Sequence, residues 1–259
     1  MVRQLFDMRL RATRRDRAQR IGTALFLHER AFEDCLERLQ GIRRRFQSAL
    51  LIGCPDPNWP RRLGVLTGHV DVADPGPMFA AAADGELVIE DEADFPSGAY
   101  DLVVAIGTLD SVNDLPAALQ LIKDALRPDS LLIGAIVGGD SLPHLRAAMR
   151  EADIAMGVAS PHVHPRIEAS ALAALLSGAG FVMPVVDVDR VDVSYASLGR
   201  LVADLRAMAG TNLLSERDRQ PLTRRAYAAA CTAFAEAGDG NRTLERFEIL
   251  HFACWTASR

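Results

Sequence analysis

YDLVVAIGTLDSVNDLPAALQLIKDALRPDSLLIGAIVGG, residues 100–139, is the stretch that decides the fold. Its residues 102–106 are a short, valine-rich apolar run, the signature of a strand buried on both faces. Gly107 opens a turn that runs to Asn113. Pro116 then stands where proline is tolerated, in the first turn of a helix. Leu115, Leu119, Ile122 and Leu126 recur at helical spacing and give one apolar stripe to lay on a sheet. Arg127-Pro128-Asp129 predicts the end of that helix, because proline disfavours helical geometry in the residue before it. Residues 131–137 are a second buried strand, closed by Gly138-Gly139. A strand, a crossover helix and a strand form a parallel βαβ unit, with the right-handed connection such units adopt. Many chemistries sit on such sheets, so this unit fixes fold class and not function.

Outward from this unit, apolar runs predict strands at 49–54, 69–73, 87–89, 181–188, 191–195 and 247–255. Helical periodicity covers 78–83, 142–149, 168–178, 198–209 and 219–237, and the basic first 45 residues read as an amphipathic helical cover for the sheet. Arg3, Arg9, Arg11, Arg14, Arg15, Arg17 and Arg20 crowd that segment. Asp7 and Asp16 set it apart from a transit peptide, which is poor in acids. The predicted layout is an N-terminal helical segment (1–45) and an α/β domain (46–259). Within that domain, a helical insertion at 196–244 precedes the last strand and covers the carboxyl ends of the central strands.

Composition narrows the partners. The 49% hydrophobic content supports a large core, and the net charge of −5 disfavours nucleic acid. No apolar run reaches the roughly 18–20 residues that span a bilayer, and the first residues lack the apolar core of a signal peptide. Cys35, Cys54, Cys231 and Cys254 are scattered, without C-x-x-C spacing, so reduced thiols in the cytoplasm are expected rather than structural zinc. His162 and His164, two apart in a proline-bounded loop, lack a third ligand nearby and read as structural. Gly138-Gly139-Asp140-Ser141 reads as a tight turn in which Asp140 or Ser141 caps the next helix. Asn113 and Asp114 read as caps of the helix at Pro116.

Several blocks resemble one family. They are LFDMRLRATRRDRA (5–18), SVNDLPAALQLIKDALRPDSLLIGAIVGGDSLPHLR (111–146), SPHVHPRIEASALAALLSGAGF (160–181), PVVDVDRVDVSY (184–195), LVADLRAMAGTN (201–212) and FEILHFACW (247–255). The chain resembles the class I, S-adenosylmethionine-dependent methyltransferase-like proteins related to the mitochondrial complex I assembly-factor methyltransferase. The malonyl-carrier-protein methyltransferases are more distant relatives. The resemblance implies a Rossmann-like fold with a seven-stranded, mostly parallel sheet. It also implies a methyl acceptor that is a small molecule, a carrier protein or a protein side chain, with hydroxylation of a protein arginine as a variant activity.

It further implies cofactor contacts at Gly53, Cys54, Asp74, Asp91 and Gly107. In the family a G-C-G-x-G loop follows the first strand, and glycines let the backbone approach the methionine part of the cofactor. This chain reads Gly53-Cys54-Pro55-Asp56-Pro57-Asn58-Trp59-Pro60. Proline offers no amide hydrogen and a fixed φ, so the cofactor is expected to bind weakly or not at all in the family pose, with Trp59 filling the vacated methionine pocket. Asp74 stands where the family holds the ribose hydroxyls; Asp71 is an off-register alternative, and a turn aspartate before Pro75 is the plainer reading. Asp91 stands near the adenine amino position, with a solvated loop acid as its alternative. Relatives carry leucine-histidine-tryptophan before V-N-D-L-P; here Leu109, Asp110 and Ser111 take those places. No catalytic residue is assigned. Two functions are thus in play: an S-adenosylmethionine-dependent methyltransferase, and a degenerate methyltransferase fold kept as a binding or complex-assembly protein.

Overall fold

In the computed structural model, which describes residues 4–258, α1 (Met8–Ile21) and α2 (Phe26–Gly41) precede β1 (Phe46–Ile52). Met1–Arg3 and Arg259, and with them Arg3 of the basic run, lie outside the described residues. The chain continues through α3 (Trp59–Leu63), β2 (Thr67–Asp74), α4 (Pro77–Ala82), β3 (Glu86–Leu87) and β4 (Tyr100–Ile106). A 3-10 turn (Leu109–Ser111), α5 (Leu115–Ala125), β5 (Leu126–Val137), α6 (Pro143–Met156), α7 (Ala169–Gly178) and β6 (Val182–Tyr195) follow. The chain ends with α8 (Leu198–Ala207), α9 (Arg224–Glu236) and β7 (Thr243–Trp255).

The seven strands form one sheet in the order β3-β2-β1-β4-β5-β7-β6. β1 to β5 run parallel, and β7 is antiparallel to both of its neighbours. The period-2 alternation of a strand sends its side chains to opposite faces. Leu50, Ile52, Val103, Ala105 and Leu132 pack with Leu119 and Ile122 of α5 and with Leu172 and Leu176 of α7. Leu51, Leu102, Val104, Leu131 and Ile133 pack on the other face with Phe32, Cys35 and Leu39 of α2 and with Trp59. Helices on both faces explain why the strands read as unbroken apolar runs.

Three local details differ from the linear reading. β5 starts at Leu126, directly after α5, and runs through Pro128 with an irregular register between Tyr100 and Leu102 of its partner. The predicted strands at 181–188 and 191–195 are one strand, because β7 pairs along the whole of Val182–Tyr195 apart from a register shift near Val185. Neither Asp140 nor Ser141 caps α6. Its N-cap is Leu142, and the Glu245 carboxylate accepts from the His144 and Leu145 amides at 3.2 and 2.8 Å. Asp114 does cap α5, accepting from Ala117 N at 2.9 Å, while Asn113 exchanges hydrogen bonds with the backbone of Phe6.

Because β1, β2, β4 and β5 are parallel, their carboxyl ends at Ile52, Asp74, Ile106 and Val137 share one edge of the sheet. Ligands of open α/β sheets bind at that edge. Here α1 lies across it, packed against α4 and α8.

Candidate functional site

At the end of β1 the backbone turns sharply. Gly53 has φ +83° and donates from its amide to Ala73 O at 2.8 Å. A Cβ at this position would run into the Ile106 carbonyl and sit 2.6 Å from Thr108 Cγ2. Glycine is required both by the positive φ and by the close approach. Gly53→Ala should therefore cost at least about 1–2 kcal/mol from the left-handed conformation alone; a urea midpoint equal to the parent's would contradict this.

The loop that follows is closed on itself. The Cys54 amide donates to Asp74 Oδ2 at 2.8 Å. Asp56 Oδ1 accepts from Asn58 N at 2.8 Å and Asn58 Nδ2 at 2.9 Å, and Asp56 O accepts from Trp59 N at 3.0 Å. Pro55, Pro57 and Pro60 contribute no donor. Burial, with Asp74 and Asp56 nearby, pushes the Cys54 thiol up to about 12, which favours the protonated thiol over the thiolate. Trp59 is fully buried on the α2 face of the sheet. It stacks on Phe32 with ring centroids 4.3 Å apart and donates from Nε1 to Glu29 Oε2 at 2.9 Å.

Asp74, the last residue of β2, and Glu90, just after β3, are both held by arginines of α1. Asp74 is fully buried. Its Oδ1 accepts from Arg15 Nε at 2.8 Å and Gly76 N at 2.7 Å; its Oδ2 accepts from Arg15 Nη2 at 2.5 Å and Cys54 N at 2.8 Å. A carboxylate has about four lone-pair positions, so all of them are filled. Glu90, also fully buried, accepts from Arg11 Nη1 and Nη2 at 2.6 and 2.8 Å, and Arg11 Nη2 reaches Thr108 O at 2.7 Å. Burial opposes the charge on Arg11, but the charge and hydrogen bonds of Glu90 outweigh it and leave the guanidinium above its ordinary pKa. Arg15 also lies over the Phe79 ring, 5.1 Å from its centroid.

Beyond the ends of β4 and β5 lies a cavity of about 110 Å³. Its wall includes Ile106, Ala135, Ile136, Leu205, Met208 and Phe247, with Arg11, Arg15, His28, Asp110, His164 and Arg166 among its polar groups. The C-terminal turn of α8 thus reaches over the strand ends, whereas α9 packs on α6. Arg166 Nη1 donates to Asp110 Oδ2 at 2.6 Å with both side chains largely buried. His28 lies against Gly107, where a Cβ would sit 2.9 Å from its ring, and burial together with Arg15 pushes the imidazole down to about 4.

His164 accepts from Leu213 N at 2.8 Å through Nε2, and burial aided by Arg166 pushes it down to about 4. His162 pairs with Asp153 at 2.7 Å. His162 therefore ties its loop to α6, and His164 ties it to the segment after α8. A base held neutral in the fold charges in the unfolded chain. Between the ordinary value near 6.5 and about 4, the unfolded state binds the extra proton, so stability falls as pH falls through that window. We expect a loss on the order of 2 kcal/mol from His164 between pH 7 and pH 4.5, read from urea unfolding. In His164→Gln that part of the slope should vanish; an unchanged slope would contradict the assignment.

Of the residues singled out from sequence, Gly53, Cys54 and Asp74 meet at one point through the hydrogen bonds above. Gly107 lies one strand away at the cavity wall, its φ +62° permitting the turn. Asp91 faces α5, where its Oδ2 accepts from Asp114 N at 2.8 Å, and its Oδ1 is buried with no hydrogen bond among the described residues. Asp71 bonds the Tyr100 hydroxyl at 2.9 Å and His69 at 2.8 Å, away from this cluster. Arg11, Arg15, Glu90, Asp110 and Arg166 were not singled out for the site. One signal was available: Arg11, Arg15 and Ala18 fall at i, i+4 and i+7, and all three are buried on one face of α1.

A seven-stranded sheet of this order, antiparallel only at β7 and carrying a glycine bend after β1, is the class I methyltransferase architecture. A family model described as "Methyltransferase domain" matches residues 25–184. The chain belongs to the S-adenosylmethionine-dependent methyltransferase family. Among curated relatives, the mitochondrial arginine-hydroxylase NDUFAF5 of Mus musculus is 30% identical over 97% of this chain and 77% of its own length. That of Rattus norvegicus is 31% identical with the same coverage. A malonyl-[acyl-carrier protein] O-methyltransferase of Xylella fastidiosa is 33% identical over 60% of this chain and 51% of its own. Solved structures share the fold. YcgJ of Bacillus subtilis superposes with a TM-score of 0.57 at 8% identity, covering 86% of this chain and 97% of its own. The Haemonchus contortus phosphoethanolamine N-methyltransferase 2, in complex with S-adenosyl-L-methionine, gives 0.51 at 14% identity, covering 88% and 52%.

Proposed function

We propose that this chain is a methyltransferase-fold protein that acts by binding, as a complex-assembly factor, with its adenosine cleft closed by its own N-terminal helix. The observation that carries this reading is the saturation of Asp74. Asp74, to which the resemblance assigns the ribose hydroxyls, has every acceptor position filled, two of them by Arg15. Glu90, the buried acid after β3, is likewise bound by Arg11. In the loop after β1 the Cys54, Asn58 and Trp59 amides are taken by Asp74 and Asp56, and three prolines offer none. These residues do not fit S-adenosylmethionine in the family pose, and no methyl-transfer step is derived through it.

In this reading residues 1–45 are a cover for the 46–259 domain, and the 196–244 insertion completes the wall above β4 and β5. The partner is a protein, in keeping with relatives named as arginine-hydroxylases acting in mitochondria. Nucleic acid is disfavoured by the net charge of −5. Among the described residues no helix is long and apolar enough to cross a membrane, and the cysteines are free. We place the protein in the cytoplasm on the strength of those thiols.

Methyl transfer is the second reading, favoured by the retained glycine bend at Gly53. It requires α1 to leave the cleft so that Asp74 and Glu90 face a ligand. Thermal unfolding with 1 mM S-adenosylhomocysteine separates the two. Closed-cleft binding predicts no upward shift in Tm, whereas a ligand at about 100-fold excess over its Kd stabilises by about 2.7 kcal/mol and would be seen at once.

A further inference from the structure

The outward face of α1 carries a second group of arginines that the closed cleft does not use. Arg14 Nη1 and Arg17 Nη2 converge on one atom, Thr211 Oγ1, at 2.9 and 3.1 Å. Arg14 Nη1 also bonds Asn212 O. Two guanidiniums donating to one hydroxyl are held within a few ångströms of each other, an arrangement that like charges oppose. Arg17 Nε is buried there with no hydrogen bond among the described residues. Arg217, whose Nη1 donates to Leu214 O at 2.9 Å, approaches Asp7 at 3.4 Å. That aspartate is also the N-cap of α1, accepting from Leu10 N at 3.0 Å. Arg206 stands exposed in the last turn of α8. Burial and the charges of Arg17, Arg217 and Arg206 outweigh Asp7 and bring Arg14 down to about 10. Arg17 is lowered by burial and by Arg206. These cations come from α1 on one side and from the end of α8 and the segment after it on the other.

We propose that Arg14, Arg17, Arg206 and Arg217 form a binding site for a small phosphate-bearing anion in solution, which bridges α1 to the loop after α8. A phosphate supplies what the group lacks: several acceptor oxygens and up to two negative charges, arranged for the fork geometry of guanidinium. An oxygen of such an anion would sit beside the Thr211 hydroxyl, on which both arginines converge. Bound there, the anion would pin α1 in place across the strand ends. That last consequence rests on the reading of α1 as a cover, whereas the site itself does not.

The test is isothermal titration of the full chain with pyrophosphate and with inorganic phosphate, against chloride at matched ionic strength. We expect pyrophosphate to bind with a sub-millimolar Kd, and more tightly than phosphate. R14Q/R17Q should weaken it tenfold or more, R206Q and R217Q several-fold each, and the distant R30Q not at all. Circular dichroism checks that each variant is folded; if R14Q/R17Q is not, R206Q and R217Q carry the test. Amide exchange across Met8–Ile21 should slow when pyrophosphate is present. No binding above the chloride control would overturn the proposal. So would wild-type affinity in the arginine variants, or binding seen only on vesicles containing phosphatidate. Titration with S-adenosylhomocysteine is a separate readout, so failure of this site and failure of the closed-cleft reading are told apart.

Discussion

Arg15→Met should destabilise the fold by about 3–5 kcal/mol, the cost of leaving a buried charge without its partner. Asp74 is fully buried and the Arg15 side chain nearly so, and two of the four bonds to the carboxylate come from that guanidinium. Methionine keeps much of the aliphatic stem, so the effect reports the lost charge and hydrogen bonds more than lost packing. The double variant R15M/D74N should be more stable than R15M alone, because an amide in place of the carboxylate removes the uncompensated charge. Chemical denaturation of the four proteins measures the coupling. Strict additivity would mean that the pair is not the unit described here. The same variant also addresses binding. Emptying two acceptor positions on Asp74 does not free the amides of the proline loop, so R15M is not expected to acquire cofactor affinity.

Trp59→Ala should cost a similar amount, about 3–5 kcal/mol for a large aromatic removed from a packed core. Trp59 lies fully buried between α2 and the sheet, stacked on Phe32 with the ring planes 9° apart. Its Nε1 donor satisfies Glu29, which also bonds Arg62. Trp59→Phe should retain most of the stability, losing the hydrogen bond and part of the volume. If Trp59→Ala unfolds at the same urea concentration as the parent, the side chain is not the core element described. The residue that disrupts the glycine-loop pattern in sequence is thus a structural member of α3. Glycine at 59 would empty the core before it could reopen a ligand loop.

The fold was legible where local pattern and tertiary environment agree. Residues 102–106 and 131–137 are apolar throughout because helices cover both faces of the central strands. The three prolines at 55, 57 and 60 were equally legible, since proline's missing donor is a covalent fact. The way the cleft is filled was not. Arg15 meets Asp74 across 59 residues and Arg11 meets Glu90 across 79, and no periodicity connects them. Asp91 is the acid that the linear reading offers after the third strand; its neighbour Glu90, in a turn closed by Glu92 N donating to Ile89 O at 2.9 Å, is the fully buried one that Arg11 holds, and no local pattern marks it. The cap of α6 shows the same limit. A linear reading finds Asp140 and Ser141 nearby, whereas the amides are served by Glu245, about a hundred residues later on β7.

We propose that α1 and the proline loop leave no place for the adenosyl ligand. Isothermal titration of S-adenosylhomocysteine into the wild-type chain tests it most directly. No saturable heat is expected with ligand at about 1 mM, corresponding to binding no stronger than about −4 kcal/mol. A saturable isotherm with a micromolar Kd and one site per chain would contradict it, and would return the protein to the methyltransferases that use their cofactor.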